Sequence, residues 1–197
     1  MKTRRHSGFV KQVMAGNGIV AAFLLLAGMA MGVCPAQAEE SSREYTIKAG
    51  FIYNFTRFVQ WPDAVRAQMQ EKGLVLCIAG ENPFGAVLER MAEKLRDAGG
   101  GSLHVRPAGD DPGTCHILYI HAAEEPRLEA LLKKIARTPV LTVADSPGFA
   151  QRGTGVNFYI ADNKIKFEIN RQAVERAGLR IGSELLDLAR IVEGREP

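Results

Sequence analysis

Tyr45-Thr46-Ile47-Lys48-Ala49-Gly50-Phe51-Ile52-Tyr53-Asn54-Phe55-Thr56-Arg57-Phe58-Val59-Gln60-Trp61-Pro62 holds six of the chain's 14 aromatic residues and its only tryptophan. Phe51, Phe55 and Phe58 recur at spacings of four and three, which predicts a helix with one apolar stripe. Pro62 disfavours the α region for Trp61 and ends the helix. The stripe reads as core, opening a small domain. Tyr53, Arg57 and Trp61 lie off it and belong to the types that dominate binding hot spots when a partner buries them. They are the candidate partner-binding residues. Arg180, between Leu179 and Ile181, borders the same patch if the two ends of the chain pack together. The plainer alternative is that Trp61 and Tyr53 complete the core and Arg57 is solvated.

Upstream, residues 1–38 read as a signal peptide. Lys2, Arg4, Arg5 and Lys11 form a basic start without an acid, and Ile19 to Val33 is an uncharged apolar run. Ala36-Gln37-Ala38 supplies the small-x-small site before Glu39. The run is shorter than the roughly 20 residues that span a bilayer. The whole chain has 25 basic and 22 acidic residues; removing the leader's four basic ones leaves 21 against 22, a net of −1. No basic surplus remains to attract nucleic acid. Residues 39–197, 197 − 38 = 159 in number, then form a single domain.

Along that domain Leu74–Ala79, Leu103–Val105, Cys115–Ile120 and Pro139–Val143 read as strands. Residues Phe84 to Leu95 and Leu128 to Ile135 carry helical spacing between them. Val156–Ile160 and Lys164–Ile169 predict a hairpin around Asp162-Asn163. Arg171–Val192 reads as largely helical, bent near Gly178 and Gly182. Strands alternating with helices predict an α/β fold: a mainly parallel β-sheet, helices on both faces, and a C-terminal antiparallel hairpin at one edge.

Chemistry-bearing patterns are sparse. Cys77 and Cys115 each sit in a strand-like run and are open to two readings, a disulfide or a pair of buried thiols. His116 and His121 point to opposite faces of one strand, and no metal-ligand spacing occurs, so no metal or cofactor is expected. No Gly-x-Ser-x-Gly elbow appears, and Asp110-Asp111 reads as a solvated turn; no catalytic residue is expected. Gly80–Gly85 follows a strand and opens a helix but lacks the phosphate-binding fingerprints.

Taken in order, KAGFIYNFTRFVQWP, LCIAGENPFG, CHILYI, PVLTVADSPGFAQRG and KIKFEINRQAVERAGLRIGSELLDLARIV resemble the YfiR family over about Tyr45 to Val192. The resemblance implies a periplasmic α/β protein, usually a homodimer. It implies binding and repression of an inner-membrane diguanylate cyclase, which lowers cyclic di-GMP and biofilm formation. An outer-membrane lipoprotein as a second partner is also implied. Other family members serve other membrane sensors. The resemblance favours a Cys77–Cys115 disulfide, since both positions match cysteines that can pair in the family's namesake. The namesake's further pair has no counterpart here, because Ala144–Gly155 contains no cysteine. A small-ligand-binding or sensory module, or an enzyme with an unrecognised site, is the alternative of a different class.

The leader reading makes a direct prediction. Intact-mass analysis of exported protein should give a chain beginning at Glu39; a mass retaining Met1 to Ala38, or a lipid on Cys34, contradicts it.

Overall fold

The computed structural model describes residues 35–194, with side chains from residue 39. Helix α1 runs Pro35–Phe58 and is followed at once by a short strand, β1 (Val59–Gln60). Helix α2 (Asp63–Lys72) follows Pro62 and buries none of its residues. Its apolar stripe is short, Val65 and Met69 half-buried one turn apart, which is why no sequence pattern signalled it. Gly73 ends it at φ +89°, and a Cβ there would stand 2.6 Å from the Ser102 carbonyl oxygen. Only glycine permits both that backbone and that approach.

Strands β2 (Leu74–Ala79), β3 (Leu103–Pro107), β4 (Ile117–Ile120), β5 (Leu141–Ala144), β6 (Val156–Ala161), β7 (Lys164–Asn170) and β9 (Arg190–Val192) form one seven-stranded sheet in the order β3-β2-β4-β5-β6-β7-β9. The five strands from β3 to β6 are mutually parallel, and β7 runs antiparallel to β6. Asp162 and Asn163 join those two at φ 53° and 55°. Both residues tolerate that left-handed region, and the turn matches strand twist. The hairpin is present as the sequence predicts, but it is not the sheet edge: β9 lies outside β7, parallel to it.

Side chains alternate across the strands, so each face buries its own set. Leu76, Ile78, Ile117, Tyr119, Leu141, Val143, Val156, Phe158, Phe167 and Ile169 form one core with Ala49, Ile52 and Phe55 of α1. Leu88 of α3 (Val87–Asp97) joins the same core. Cys77, Ala79, Leu118, Ile120 and Ala144 form the other with Leu128 and Leu132 of α4 (Leu128–Lys134). Helices therefore cover both faces.

The stripe of α1 is displaced from its predicted position. Ala49, Ile52, Phe55 and Val59 are buried, Phe51 is half-buried, and Phe58 is exposed. The prediction of a largely helical Arg171–Val192 is also corrected. Helices α5 (Arg171–Arg176) and α6 (Ser183–Leu186) are short. Between them β8 (Arg180–Ile181) pairs antiparallel with β1, Val59 opposite Ile181 and Gln60 opposite Arg180. Gly178, at φ +72°, ends the first helix, and long-range pairing takes over from local propensity.

The entry of β4 is fastened to β2 twice. Cys77, in β2, is bonded to Cys115, just ahead of β4, with Cα atoms 5.9 Å apart. The expected bridge is thus present, although Cys115 precedes the strand instead of lying within it. One residue on, His116 Nδ1 accepts the Val75 N–H at 2.9 Å, and His116 N–H donates to the Val75 carbonyl at 3.0 Å. Burial lowers the His116 pKa from its ordinary 6.5, favouring the neutral ring that this acceptor role requires.

Two outcomes follow for stability. The disulfide closes a loop of 38 residues, worth about 4 kcal/mol in the chain-entropy model. Replacing both cysteines with alanine should lower the unfolding midpoint by about 10 °C; an unchanged midpoint contradicts the structural role. For His116, a depressed folded pKa gives stability that is present above 6.5 and lost as pH falls below it. The wild type should exceed His116→Ala by about 1 kcal/mol at pH 7.5. That gap should narrow on acidification toward pH 5, and a gap independent of pH contradicts the assignment.

Candidate functional site

Pairing of β1 with β8 brings the two ends of the domain together, and two of the four predicted partner-binding residues lie in or next to it. Arg57 is exposed in the last turn of α1. Phe58, beside it, is 36 % exposed. Gln60 and Arg180 are directly paired and both exposed, so their side chains share one face of the ribbon. Val59 and Ile181 turn to the other face, toward the core. The Gly182 N–H donates to the Phe58 carbonyl at 2.8 Å and fixes the ribbon to the end of the helix.

Arg180 also borders a hollow of about 270 Å³ with Arg171, Val174, Glu175 and Leu186. Arg171 faces Glu175 at 3.6 Å, whereas no ion pair involves Arg57 or Arg180 among the described residues. Phe58, next to Arg57 in the chain, exposes part of an aromatic ring. Aromatic residues and arginine are enriched where protein interfaces form.

The other two candidates stand elsewhere. Trp61 is only 6 % exposed, and its indole N–H donates to the Pro139 carbonyl at 3.1 Å. It completes the core, with its one polar atom satisfied, as the plainer reading had it. Tyr53 is half-buried and lines a separate groove of about 480 Å³ with Thr56, Met69, Leu74, Leu95 and Leu103. Arg180 lies in the ribbon and Arg57 in the helical turn ahead of it, while Tyr53 faces the groove and Trp61 the interior. Phe58 and Gln60 were not singled out from sequence. Phe58 had been assigned to the stripe on spacing alone, and the Gln60–Arg180 pairing has no local signature.

A buried polar cluster lies near the other half of α1. Lys48 Nζ donates to Asp145 Oδ2 at 2.6 Å and also pairs with Glu44. The Tyr45 hydroxyl donates to the same Asp145 oxygen at 3.0 Å. The side chains of Lys48 and Asp145 are 4 % and 8 % exposed. Asp145 follows β5 directly, and Tyr119 comes from the adjacent β4. Phe84 makes edge contacts with Tyr45 and with Tyr119, centroids 5.3 and 4.8 Å apart. The Tyr119 hydroxyl is buried beside Tyr45 and Asp145 without a well-formed hydrogen bond to either. Desolvation, reinforced by the Asp145 charge, pushes the pKa of both tyrosines up and keeps them neutral.

Among the described residues no group of three or more His, Cys, Asp or Glu side chains could hold a metal ion. No described helix is long and apolar enough to cross a membrane. Compared with known families, the chain matches the one described as YfiR/HmsC-like over residues 45–190.

Proposed function

The chain belongs to the YfiR/HmsC-like family, and from that premise we propose that it is a periplasmic regulatory protein that binds and represses an inner-membrane diguanylate cyclase. It acts by contact and carries out no reaction of its own. The match over most of the domain is the observation that carries this reading. The leader-like residues 1–38 support export to the periplasm, where a membrane receptor's outer part is within reach. The binding surface is the ribbon face at Arg57, Phe58, Gln60 and Arg180. Its two free guanidinium groups suit carboxylates on a partner, and the exposed Phe58 supplies an apolar anchor. Tyr53 adjoins as a secondary contact through its groove. A homodimer, and an outer-membrane lipoprotein that relieves repression, complete the proposal.

A second reading is a small-ligand sensor for another membrane receptor. The Tyr53 groove favours it, since about 480 Å³ falls in the range of small-molecule sites. Capture separates the two readings, because only the first requires a cyclase to be retained by the purified protein.

Deleting the gene should raise cyclic di-GMP, and restoring it should lower the level. Arg57→Ala and Arg180→Ala should each weaken capture of the membrane protein about tenfold or more, with unfolding midpoints near wild type. Unchanged nucleotide levels in cells that express the protein contradict the function. Undiminished capture by both arginine variants contradicts the surface while leaving the function standing.

A further inference from the structure

Helix α1 is held to the sheet in two different ways. Its C-terminal half is locked by aromatic packing, with Phe51 and Phe55 each against Phe158 and Phe167 at centroid separations of 5.2 to 6.0 Å. Its N-terminal half is held by the polar cluster. Residues 39–43 are exposed, Ile47 is 44 % exposed, and Tyr45 and Lys48 converge on one oxygen of Asp145. The helix thus has a half that is expensive to lift and a half attached by one carboxylate and a single ring contact, Tyr45 on Phe84.

Two features make that attachment releasable. Lys48 carries its own counter-charge, because Glu44 pairs with it from one turn earlier on the same helix. When the half-helix lifts, Lys48 keeps a carboxylate and both enter water, so no buried charge is left alone on the helix. Beneath the cluster, the closed state holds the Tyr119 hydroxyl beside Tyr45 and Asp145 without a well-formed hydrogen bond to either. An unsatisfied buried hydroxyl disfavours the closed state, and water relieves it on opening.

The location gives the movement a consequence. The parallel strands reverse their order between β2 and β4: β3 lies on one side of β2, and β4 then β5 on the other. Open α/β sheets bind ligands at the carboxyl ends of the strands beside such a reversal. Tyr119 is next to last in β4, Asp145 directly follows β5, and Phe84 lies on the turn after β2.

We infer that residues 39–48 of α1 are a releasable strap, latched by Lys48 and Tyr45 on Asp145, that closes over the carboxyl ends of β4 and β5. It opens as a unit of its own while the Phe51–Phe55 half stays packed. The device is independent of which membrane protein the chain binds.

Amide hydrogen exchange on the purified full chain tests it. In Asp145→Asn the amides of residues 45–50 should exchange at least about tenfold faster. Those of residues 52–58 and of β4 and β5 should stay protected. Tyr45→Phe, which removes one of the two donors and should fold normally, should accelerate the same amides by a smaller factor. The paired replacement Lys48→Met with Asp145→Leu, which removes both charges, should restore protection. Equal acceleration across all of α1 and the sheet in Asp145→Asn overturns the inference, because the cluster is then part of the global core. If that variant does not fold, Tyr45→Phe decides: exchange of residues 45–50 at the wild-type rate overturns the inference as well.

Discussion

Four phenylalanines join the two ends of this domain. Phe51 and Phe55 come from the opening helix, Phe158 and Phe167 from the late hairpin, and Phe55 and Phe158 lie nearly parallel at 5.8 Å. Each fully buried phenylalanine contributes on the order of 1.5–3 kcal/mol from apolar area, and each favourable ring pair about 0.5–1.5 kcal/mol more. This contact fixes where α1 ends, and therefore where Val59 and Gln60 emerge to meet Arg180 and Ile181. Everything exposed at the ribbon inherits its position from packing that is itself buried. Changes in those rings would move the ribbon without touching it.

The parallel sheet was readable because its strands are buried on both faces. LVLCIA over 74–79 shows no polar alternation for that reason, and the apolar runs around β4 and β5 read the same way. The hairpin was readable from Asp162-Asn163, where chemistry and backbone agree. Three features were not legible. Helix α2 is mostly polar, with Val65 and Met69 only half-buried against the core, so it leaves little periodic trace. Strands β8 and β9, of two and three residues, exist because distant strands offer them partners. The exact stripe of α1 was ambiguous, because Phe51, Ile52, Phe55, Phe58 and Val59 permit two faces and only tertiary contact selects one.

The candidate site was half legible. Residue type drew attention to Arg57 and Arg180, and the fold leaves both exposed, Arg180 in the β1–β8 ribbon and Arg57 in the helical turn ahead of it. Residue type misled at Trp61, where a large ring with one N–H suits a buried position as well as an interface, and the Pro139 carbonyl supplies its acceptor. Phe58 takes its place at the surface. The Lys48–Asp145 pair had no signature at all, because its members are separated by 97 positions and each alone looks like an ordinary surface charge. Buried ion pairs of this kind add little net stability but make strong demands on geometry. That suits a position between a rigid sheet and a helix end whose aromatic contact is Tyr45 on Phe84.

The account turns on one claim, that this family member meets its membrane partner through the face carrying Arg57 and Arg180. Site-specific photocrosslinking in living cells addresses it most directly. A photoreactive residue at position 57 or 180 should trap an inner-membrane protein with a periplasmic portion. The same residue at position 94, exposed on α3, should trap none. Crosslinks to a membrane protein from position 94 alone, with none from 57 or 180, would contradict the claim and move the interface off the ribbon.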